Sequence, residues 1–447
     1  MEPDRDRRPF FIFLLIALLI ICVGLFTPIR EKLEIRIDGL KSRLFYMHSD
    51  PANTMFVPGQ SGATADAIIE ATISQYITEV SPTETPLPSP TATQLQITEE
   101  PTATEIPTNT PEPTATPEPL PNRYNILGVK YETQHGIWNY CAPTNLSMTM
   151  TYWGWKGQRT DIGPKVKPFE KDKNVMFYEL ADYVTENSDL RAVHRSGGTS
   201  ELLKRLIIHD YPVLIEKGAF MQEVSGRYSW MGHYNVVTGY DDETEEWTVQ
   251  DSYYNADYKV SYETLEEEWQ SFNHQFMVVY PGNFEGAVYS ILGPYTNNNW
   301  AKQNALRMAD AQIEAAETPE EYFYAYFNRG SAQVDLSDFY GAAQSYDMAY
   351  TYYPDIETNR RPYRIVWYQT GPYYAYYYSG RYYDVISLAE TTLASTGEPY
   401  LEETHYWRAM AYNALGEIEK AHEDLEMCVD LHPGFTACES LLYELGY

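Results

Sequence analysis

Apolar residues recur at helical spacing in three stretches near the middle of the chain, at 142–153, 176–186 and 200–209. In the first stretch, Leu146, Met150 and Trp153 fall on one helical face. Pro143 suits a first helical turn, where no amide hydrogen is needed. Short β-prone runs follow at 213–216, 233–240, 247–251 and 275–279. Helices followed by an antiparallel sheet predict an α+β fold for residues 123–283.

From about residue 300 the pattern changes to long helical segments rich in Ala and Tyr. Around two glycines, Gly330 and Gly416, the small, aromatic and proline positions are spaced as in tetratricopeptide repeats, and a looser unit surrounds Gly380. This resemblance implies an all-α solenoid over 300–447. Its repeats, at 320–447, would present a concave surface to a protein partner.

The N-terminal pattern predicts a membrane anchor. Residues 10–26 carry no charge, and the uncharged run extends over 9–29, enough to span a bilayer. No small-residue cleavage site follows Phe26, so we expect an uncleaved anchor rather than a signal peptide. Positive charges flank both sides. We nevertheless expect a single-pass protein with a cytoplasmic N-terminus and the rest of the chain outside.

Composition divides residues 1–122 into three parts. Residues 1–29 form the charged lead and anchor, and residues 30–80 form a juxtamembrane region without recognisable chemistry. Residues 81–122 are dense in proline, with eleven prolines in the forty-one residues 81–121. Such a segment buries no core and is expected to be a disordered, extended stalk.

Charge and cysteine usage exclude several classes of protein. The formal net charge is −31 and the isoelectric point is near 4.6, which argues against a nucleic-acid partner. Four cysteines do not make a disulfide scaffold. Cys428 and Cys438 are close enough in sequence to bond, but we expect simple packing of Cys428 instead. No cluster has metal-ligand spacing and no glycine-rich phosphate loop is present, so we predict neither metal nor cofactor.

The candidate chemistry starts at Cys141, at the N-terminus of the first predicted helix. Unpaired backbone N–H groups and the helix dipole favour a thiolate at this position. A buried structural cysteine is the alternative. About ninety residues later, two β-prone runs flank an acidic turn centred near Asp242. This predicted hairpin would place His233 and Asp251 almost opposite each other. Cysteine, histidine and aspartate then have the residue types of nucleophile, base and orienting group.

With this order of residues, and with the supporting segments 174–180, 197–206, 211–215 and 275–281, the stretch 123–283 resembles the bacterial C39-like papain-fold cysteine peptidases. The resemblance implies that Cys141 is the nucleophile, His233 the general base and acid, and Asp251 the orienting group. It also implies that Gln134 donates to the oxyanion beside the Cys141 amide. Two positions depart from the family pattern: Ala142 replaces the usual Gly, and Gln134 lies seven residues before the cysteine.

Three functions are compatible with these residues. The first is a membrane-anchored, extracytoplasmic cysteine peptidase acting on a peptide or protein substrate. The second is a papain-fold acyltransferase or transglutaminase-like enzyme with the same triad. The third is an inactive scaffold that binds proteins through its repeats, for which the spacing of Gln134 is the best support.

Overall fold

The structure is a computed structural model that describes residues 27–59, 119–398 and 400–447. The described residues up to Gly59, and those from Asn122 onward, belong to one compact unit. The predicted stalk at 81–122, except for its last four residues, lies outside the described residues, as does the second half of the predicted juxtamembrane region.

An antiparallel sheet forms the centre of the α+β region, as the sequence predicts. Its path is β2–β7–β3–β4–β5–β6, and β1 pairs with β4. The strands are β1 (Arg123–Asn125), β2 (Leu190–Arg195), β3 (Val213–Gln222), β4 (Tyr228–Asp241), β5 (Glu246–Gln250), β6 (Tyr258–Ser261) and β7 (Phe276–Pro281). The two longest, β3 and β4, pair along the whole length of β3, with Lys217 opposite His233 and Gly218 opposite Gly232.

Helices cover both faces of this sheet because successive residues of a buried strand point to opposite sides. The helices are α2 (Cys141–Tyr152), α3 (Arg159–Val166), α4 (Phe177–Asn187), α5 (Ser200–Ile207), α6 (Tyr262–Gln270) and α7 (Glu285–Leu292). Leu214 packs with α2 and α4 in one apolar cluster, while Val213 and Ile215 pack with α5 and α6 in another. The bounds of α2, α4 and α5 lie close to the three helical stretches that periodicity predicts.

The C-terminal part is helical throughout, as expected from its sequence. Its helices are α8 (Asn298–Ala315), α9 (Pro319–Asp335), α10 (Phe339–Tyr352), α11 (Ile365–Tyr368), α12 (Gly371–Tyr378), α13 (Tyr382–Ala394), α14 (Glu402–Ala414), α15 (Ile418–Leu431) and α16 (Thr436–Leu445). An aromatic core joins α9 to α14, and the rings of Tyr346, Tyr373 and Tyr376 are fully buried in it. Helices α14, α15 and α16 pack together in a smaller apolar cluster. Two tyrosines of the same run, Tyr374 and Tyr378, remain exposed.

Residues 27–59 pack against both parts, which the sequence did not lead us to expect. Helix α1 (Thr27–His48) crosses the β3–β4 turn so closely at Gly39 that a Cβ there would lie 2.8 Å from the Val224 carbonyl oxygen. The Arg43 guanidinium donates to the Ser225 carbonyl at 2.6 Å. Further along, Phe56 is buried in the aromatic core of the helical part. This segment is therefore a structural element of the folded unit.

The prediction of a membrane-spanning protein is wrong on this structure. Among the described residues, no helix combines the length and the apolar character that a membrane crossing requires. Helix α1 begins inside the predicted anchor at 9–29 but carries charged side chains from Arg30 onward, and charges along a helix are costly to place in hydrocarbon. Residues 9–26 lie outside the described residues.

The expectation for the C-terminal cysteines is also corrected. Cys428 of α15 and Cys438 of α16 form a disulfide bond. Both are fully buried, and the turn between the two helices brings their Cα atoms to 6.4 Å, within bonding range. The sequence spacing permitted this bond, but only the packing of the two helices decided it.

Candidate active site

Cys141 is the first residue of α2, and the loop before it has an irregular backbone. Gly136 and Asn139 have positive φ angles of 94° and 49°. The Asn139 side chain donates to two backbone carbonyls, of Lys171 and Asp172, at 3.0 and 2.9 Å. These bonds hold the non-glycine residue in its left-handed conformation. The loop accommodates the seven-residue spacing between Gln134 and Cys141.

Cys141 is a free, half-buried cysteine whose thiol lies beside the imidazole of His233. Burial by itself disfavours the thiolate. The hydrogen bond and positive charge of His233, together with the backbone N–H groups of Tyr234 and Ala142, outweigh burial and lower the pKa of the Cys141 thiol. The side chain is therefore biased towards the nucleophilic form.

His233 lies on β4 and connects the thiol to a carboxylate. Its Nε2–H donates to Asp251 Oδ1 at 2.9 Å, and both side chains are buried. With Nε2 engaged by Asp251, Nδ1 remains for the contact with Cys141. Burial disfavours the imidazolium, but the Asp251 charge more than compensates and raises the pKa of His233 to about 9.

Asp251 follows the end of β5 and is held by more than the histidine. Its Oδ1 also accepts from the backbone N–H groups of Tyr253 and Tyr254, at 2.9 and 3.2 Å. Burial favours the protonated acid, but the His233 charge and hydrogen bond hold the pKa of Asp251 well below its usual range. The carboxylate therefore stays ionised at neutral pH.

The hairpin register differs from the one expected from the sequence. Asp241 pairs with Glu246, and a bulge between Val237 and Gly239 precedes the pairing of Val236 with Gln250. Continuing this register places Asp251 beside Asn235 rather than opposite His233. The turn is shorter and its centre later than predicted. The two side chains still meet because they lie diagonally on the same face, within reach of long side chains.

Gln134 reaches the same region through Ser252. Its backbone N–H donates to the Ser252 carbonyl at 2.9 Å, and the Ser252 hydroxyl donates to Gln134 Oε1 at 2.7 Å. Asn145 on α2 donates to Ser252 Oγ at 2.9 Å and to the Cys141 carbonyl at 2.9 Å. A buried network thus connects Gln134 to the helix of Cys141. Asn145 was not singled out from the sequence, although it lies one turn after the cysteine.

Three of the four predicted residues, Gln134, Cys141 and His233, line one cleft of about 350 Å³, which we call the Cys141 cleft. Asp251 lies behind His233. The cleft is also lined by Arg364, Trp367 and Tyr368 from the helical part. The sequence did not predict that these three residues belong to the site. The Tyr368 ring packs against Gly232, where a Cβ would lie only 3.0 Å from it. No local signal could have placed these residues beside a cysteine more than two hundred positions away.

The chemistry of the cleft is that of a polarised thiol without an evident metal site. No group of three His, Cys, Asp or Glu side chains in the described part of the chain has metal-binding geometry. Glu216 also lines the cleft, and burial raises the pKa of its carboxyl well above its usual range, which favours the neutral acid. The arrangement can attack a carbonyl carbon and deliver a proton to a leaving group.

The α+β part of the chain matches a known class of protein. Residues 126–277 match the model of the Peptidase_C39 like family, and this match supports a cysteine peptidase. More particularly, a crystal structure described as that of a C39-like peptidase from Bacillus anthracis is similar at 18% identity, covering 35% of this chain and 96% of that one. Its TM-score of 0.29 is too low to carry an argument. No curated protein matches the chain.

Proposed function

We propose that this protein is a cysteine peptidase in which Cys141 is the nucleophile, His233 the general base and acid, and Asp251 the orienting group. The observation that carries the proposal is the arrangement in which the Cys141 thiol lies beside His233 and the His233 Nε2–H donates to Asp251 Oδ1 at 2.9 Å, at the wall of an open cleft. The family match over 126–277 supports the same class. The peptidase domain in this proposal extends over 123–283.

The proposed reaction has two stages. The Cys141 sulfur attacks the peptide carbonyl carbon, and the His233 imidazolium gives its proton to the leaving amine. Water then attacks the thioester while His233 takes up its proton, the C–S bond breaks to release the acid, and the thiolate–imidazolium pair is restored. Asp251 keeps the imidazole in one orientation and stabilises its charged form.

The oxyanion of each tetrahedral intermediate needs hydrogen-bond donors. We assign this role to the Cys141 backbone N–H and the Gln134 side-chain amide. The Ser252 hydroxyl bonds Gln134 Oε1, which leaves the Nε2–H₂ end of the amide to face the cleft. Donors held in advance at such a position are worth about 10²–10³-fold in kcat.

The test uses an activity-based thiol probe and a peptide substrate on four proteins: wild type, Cys141→Ala, His233→Ala and Ser147→Ala. The Ser147 hydroxyl bonds Glu132, away from the cleft lining, so this variant is the matched control. We expect probe labelling and peptide hydrolysis in wild type and control only. An unlabelled wild type, or equal labelling of His233→Ala, contradicts the proposal.

The same triad can also catalyse acyl transfer to an amine. The experiment therefore has to measure whether water or the amine accepts the acyl group. We expect free acid as the product when a peptide amide is incubated with a primary amine, because the cleft is open to water. Predominant formation of the amine adduct would instead identify a transglutaminase-like enzyme.

We further propose that the helices from about 320 onward are tetratricopeptide-like repeats that bind a protein partner or the substrate. The support is the exposure of Tyr374 and Tyr378, whose rings lie 6.3 Å apart beside Trp407. Rigid amphipathic aromatics are favourable contact groups. Changing both tyrosines to alanine should reduce the proteins recovered with the chain, whereas changing exposed Tyr443 should not. Unchanged recovery would remove the support.

A further inference from the structure

A second, smaller cavity adjoins the Cys141 cleft. Its volume is about 150 Å³, and it shares seven lining residues with the cleft, among them Trp138, Lys173, Glu223, Arg364 and Trp367. The other lining residues are Lys171, five residues of α1 and the stretch 396–398. A peptide seated over Cys141 therefore has an extension of the cleft available to it, bounded by aromatic side chains and by charged side chains of both signs.

Lys173 is one of two cationic groups common to both cavities, and the other, Arg364, is paired with Glu223. Its Nζ lies 5.5 Å from the centre of the Trp367 ring and 5.0 Å from that of Tyr400. Within the described residues, no carboxylate forms an ion pair with it, although the chain carries 63 acidic residues against 32 basic ones. The ammonium group is thus held against aromatic faces and lacks an acid partner.

The carboxylates that line the smaller cavity, those of Asp38, Glu223 and Glu398, are each paired with another cation: Asp38 and Glu398 with Lys171 at 2.8 and 3.2 Å, and Glu223 with Arg364 at 2.7 Å. Asp172, the residue before Lys173, also acts on the lysine, but burial raises the pKa of this carboxyl well above its usual range and so disfavours its charge. Burial, followed by the positive charge of Arg364, lowers the pKa of Lys173 to about 8. The charge of a carboxylate brought to this lysine would offset both effects.

We propose that Lys173 is a specificity-determining residue that binds a carboxylate of the peptide substrate, either the C-terminal α-carboxylate or an acidic side chain. This inference rests on the peptidase function proposed above. The aromatic walls would pack against the peptide beside the charged group. Burial raises the pKa of Glu216 well above its usual range, which favours the neutral carboxyl and so reduces its repulsion of an anion in the cleft.

The first experiment measures binding apart from catalysis. Immobilised Cys141→Ala protein is exposed to four hexapeptide libraries, made with a C-terminal acid or amide and with Asp and Glu either present or replaced by Asn and Gln. We expect at least tenfold enrichment of carboxylate-bearing peptides. The arm that shows it identifies the α-carboxylate or the side chain as the group bound.

Three second-site variants then test the lysine in the same background. Lys173→Met keeps length and packing but removes the charge, so it should abolish the enrichment, and Lys173→Arg should retain it in part. Lys165→Met, at an exposed lysine of α3, should change nothing. Absence of enrichment in every arm, or enrichment that survives Lys173→Met, overturns the inference.

Hydrolysis of the same libraries by the otherwise wild-type enzyme separates the two proposals. Cleavage without preference for a carboxylate contradicts the role of Lys173 and leaves the peptidase function intact. Selective binding to the Cys141→Ala protein without cleavage by wild type supports the carboxylate site and contradicts the peptidase function. With both correct, Lys173→Met lowers kcat/KM at least tenfold for the preferred acidic peptide and less than twofold for its amide counterpart.

Discussion

At the scale of single residues, the site is governed by how burial and charge oppose each other. Cys141, His233 and Asp251 are all removed from water to some degree, and isolation alone would keep each of them neutral. Their contact reverses this outcome, because each ionised group stabilises the next. The pKa of the thiol is lowered and that of the imidazole is raised to about 9. Their contact therefore favours the thiolate–imidazolium pair relative to an isolated buried thiol and imidazole.

The first prediction concerns the pH profile of Asp251→Asn. Activity needs the thiolate and the imidazolium together, so kcat/KM in wild type should rise through the lowered pKa of Cys141 and fall near pH 9. These limbs report the coupled pair. Removing the carboxylate charge removes the main cause of the raised histidine pKa. The alkaline limb should therefore shift to lower pH by about one unit or more, with a loss of ~10²-fold at the optimum.

Asp189→Asn is the matched control for this experiment, because Asp189 is exposed and lies in the loop before β2. It should reproduce the wild-type profile. An Asp251→Asn protein with an unchanged alkaline limb would show that another group sets the histidine pKa.

At the scale of elements, close packing of two strands positions His233. Gly218 on β3 faces Gly232 on β4, next to His233. The indole of Trp230 fills the space over Gly218 and stacks on Phe272, with ring centres 5.9 Å apart. A Cβ at position 218 would lie 2.2 Å from the Trp230 ring. Neither glycine has a positive φ angle, so lack of space rather than backbone conformation requires glycine at 218.

The second prediction is that Gly218→Ala destabilises the protein. The buried Trp230 ring has to move to admit the methyl group, and overpacking of this kind costs about 1–3 kcal/mol. Gly286→Ala in α7 is the control, since nothing lies within 4 Å of a Cβ there. That variant should be neutral or slightly stabilising. Urea unfolding measures both, and equal midpoints for the two variants would contradict the argument.

At the scale of the whole molecule, parts distant in sequence enclose the cleft. Residues from α11 form one wall, and α1 bounds the adjoining cavity. The segment 27–59 is fastened at several points, including Asp38 to Lys171 at 2.8 Å and the Gly59 N–H to Asp384 Oδ1 at 2.7 Å. Access to Cys141 is therefore shaped by three stretches of chain, of which only one matches the peptidase family.

The third prediction tests how the segment 27–59 is held. Phe56 is 3% exposed and lies against Tyr350 and Tyr376, with ring centres 4.9 and 5.6 Å away. Phe56→Ala should remove about 3 kcal/mol of its docking free energy. Amide hydrogen exchange and proteolysis within 27–59 should then increase.

Val57→Ala is the control for this substitution, because Val57 is 48% exposed. It should keep the wild-type protection. If the segment remained equally protected in Phe56→Ala, the polar contacts alone would account for its docking.

The sequence by itself determined the local features of this protein. Periodicity predicted α2 with Cys141 at its start, the α+β order and the helical C-terminal part. These features are predictable because the spacing of apolar residues within one element depends on which of its faces is buried. His233 and Asp251 could be paired in advance since one hairpin carries both. Even there, a bulge at Thr238 shifted the register, and such a local irregularity leaves no clear trace in the hydrophobic pattern.

Tertiary structure alone decided the rest. The contact of Cys141 with His233, the wall formed by α11, the docking of residues 27–59 and the Cys428–Cys438 bond all join elements whose apolar faces could have packed against other partners. An amphipathic pattern indicates that one face of an element is buried, but it does not indicate which other element packs against that face. That choice depends on the shape and charge of distant surfaces once the chain has folded.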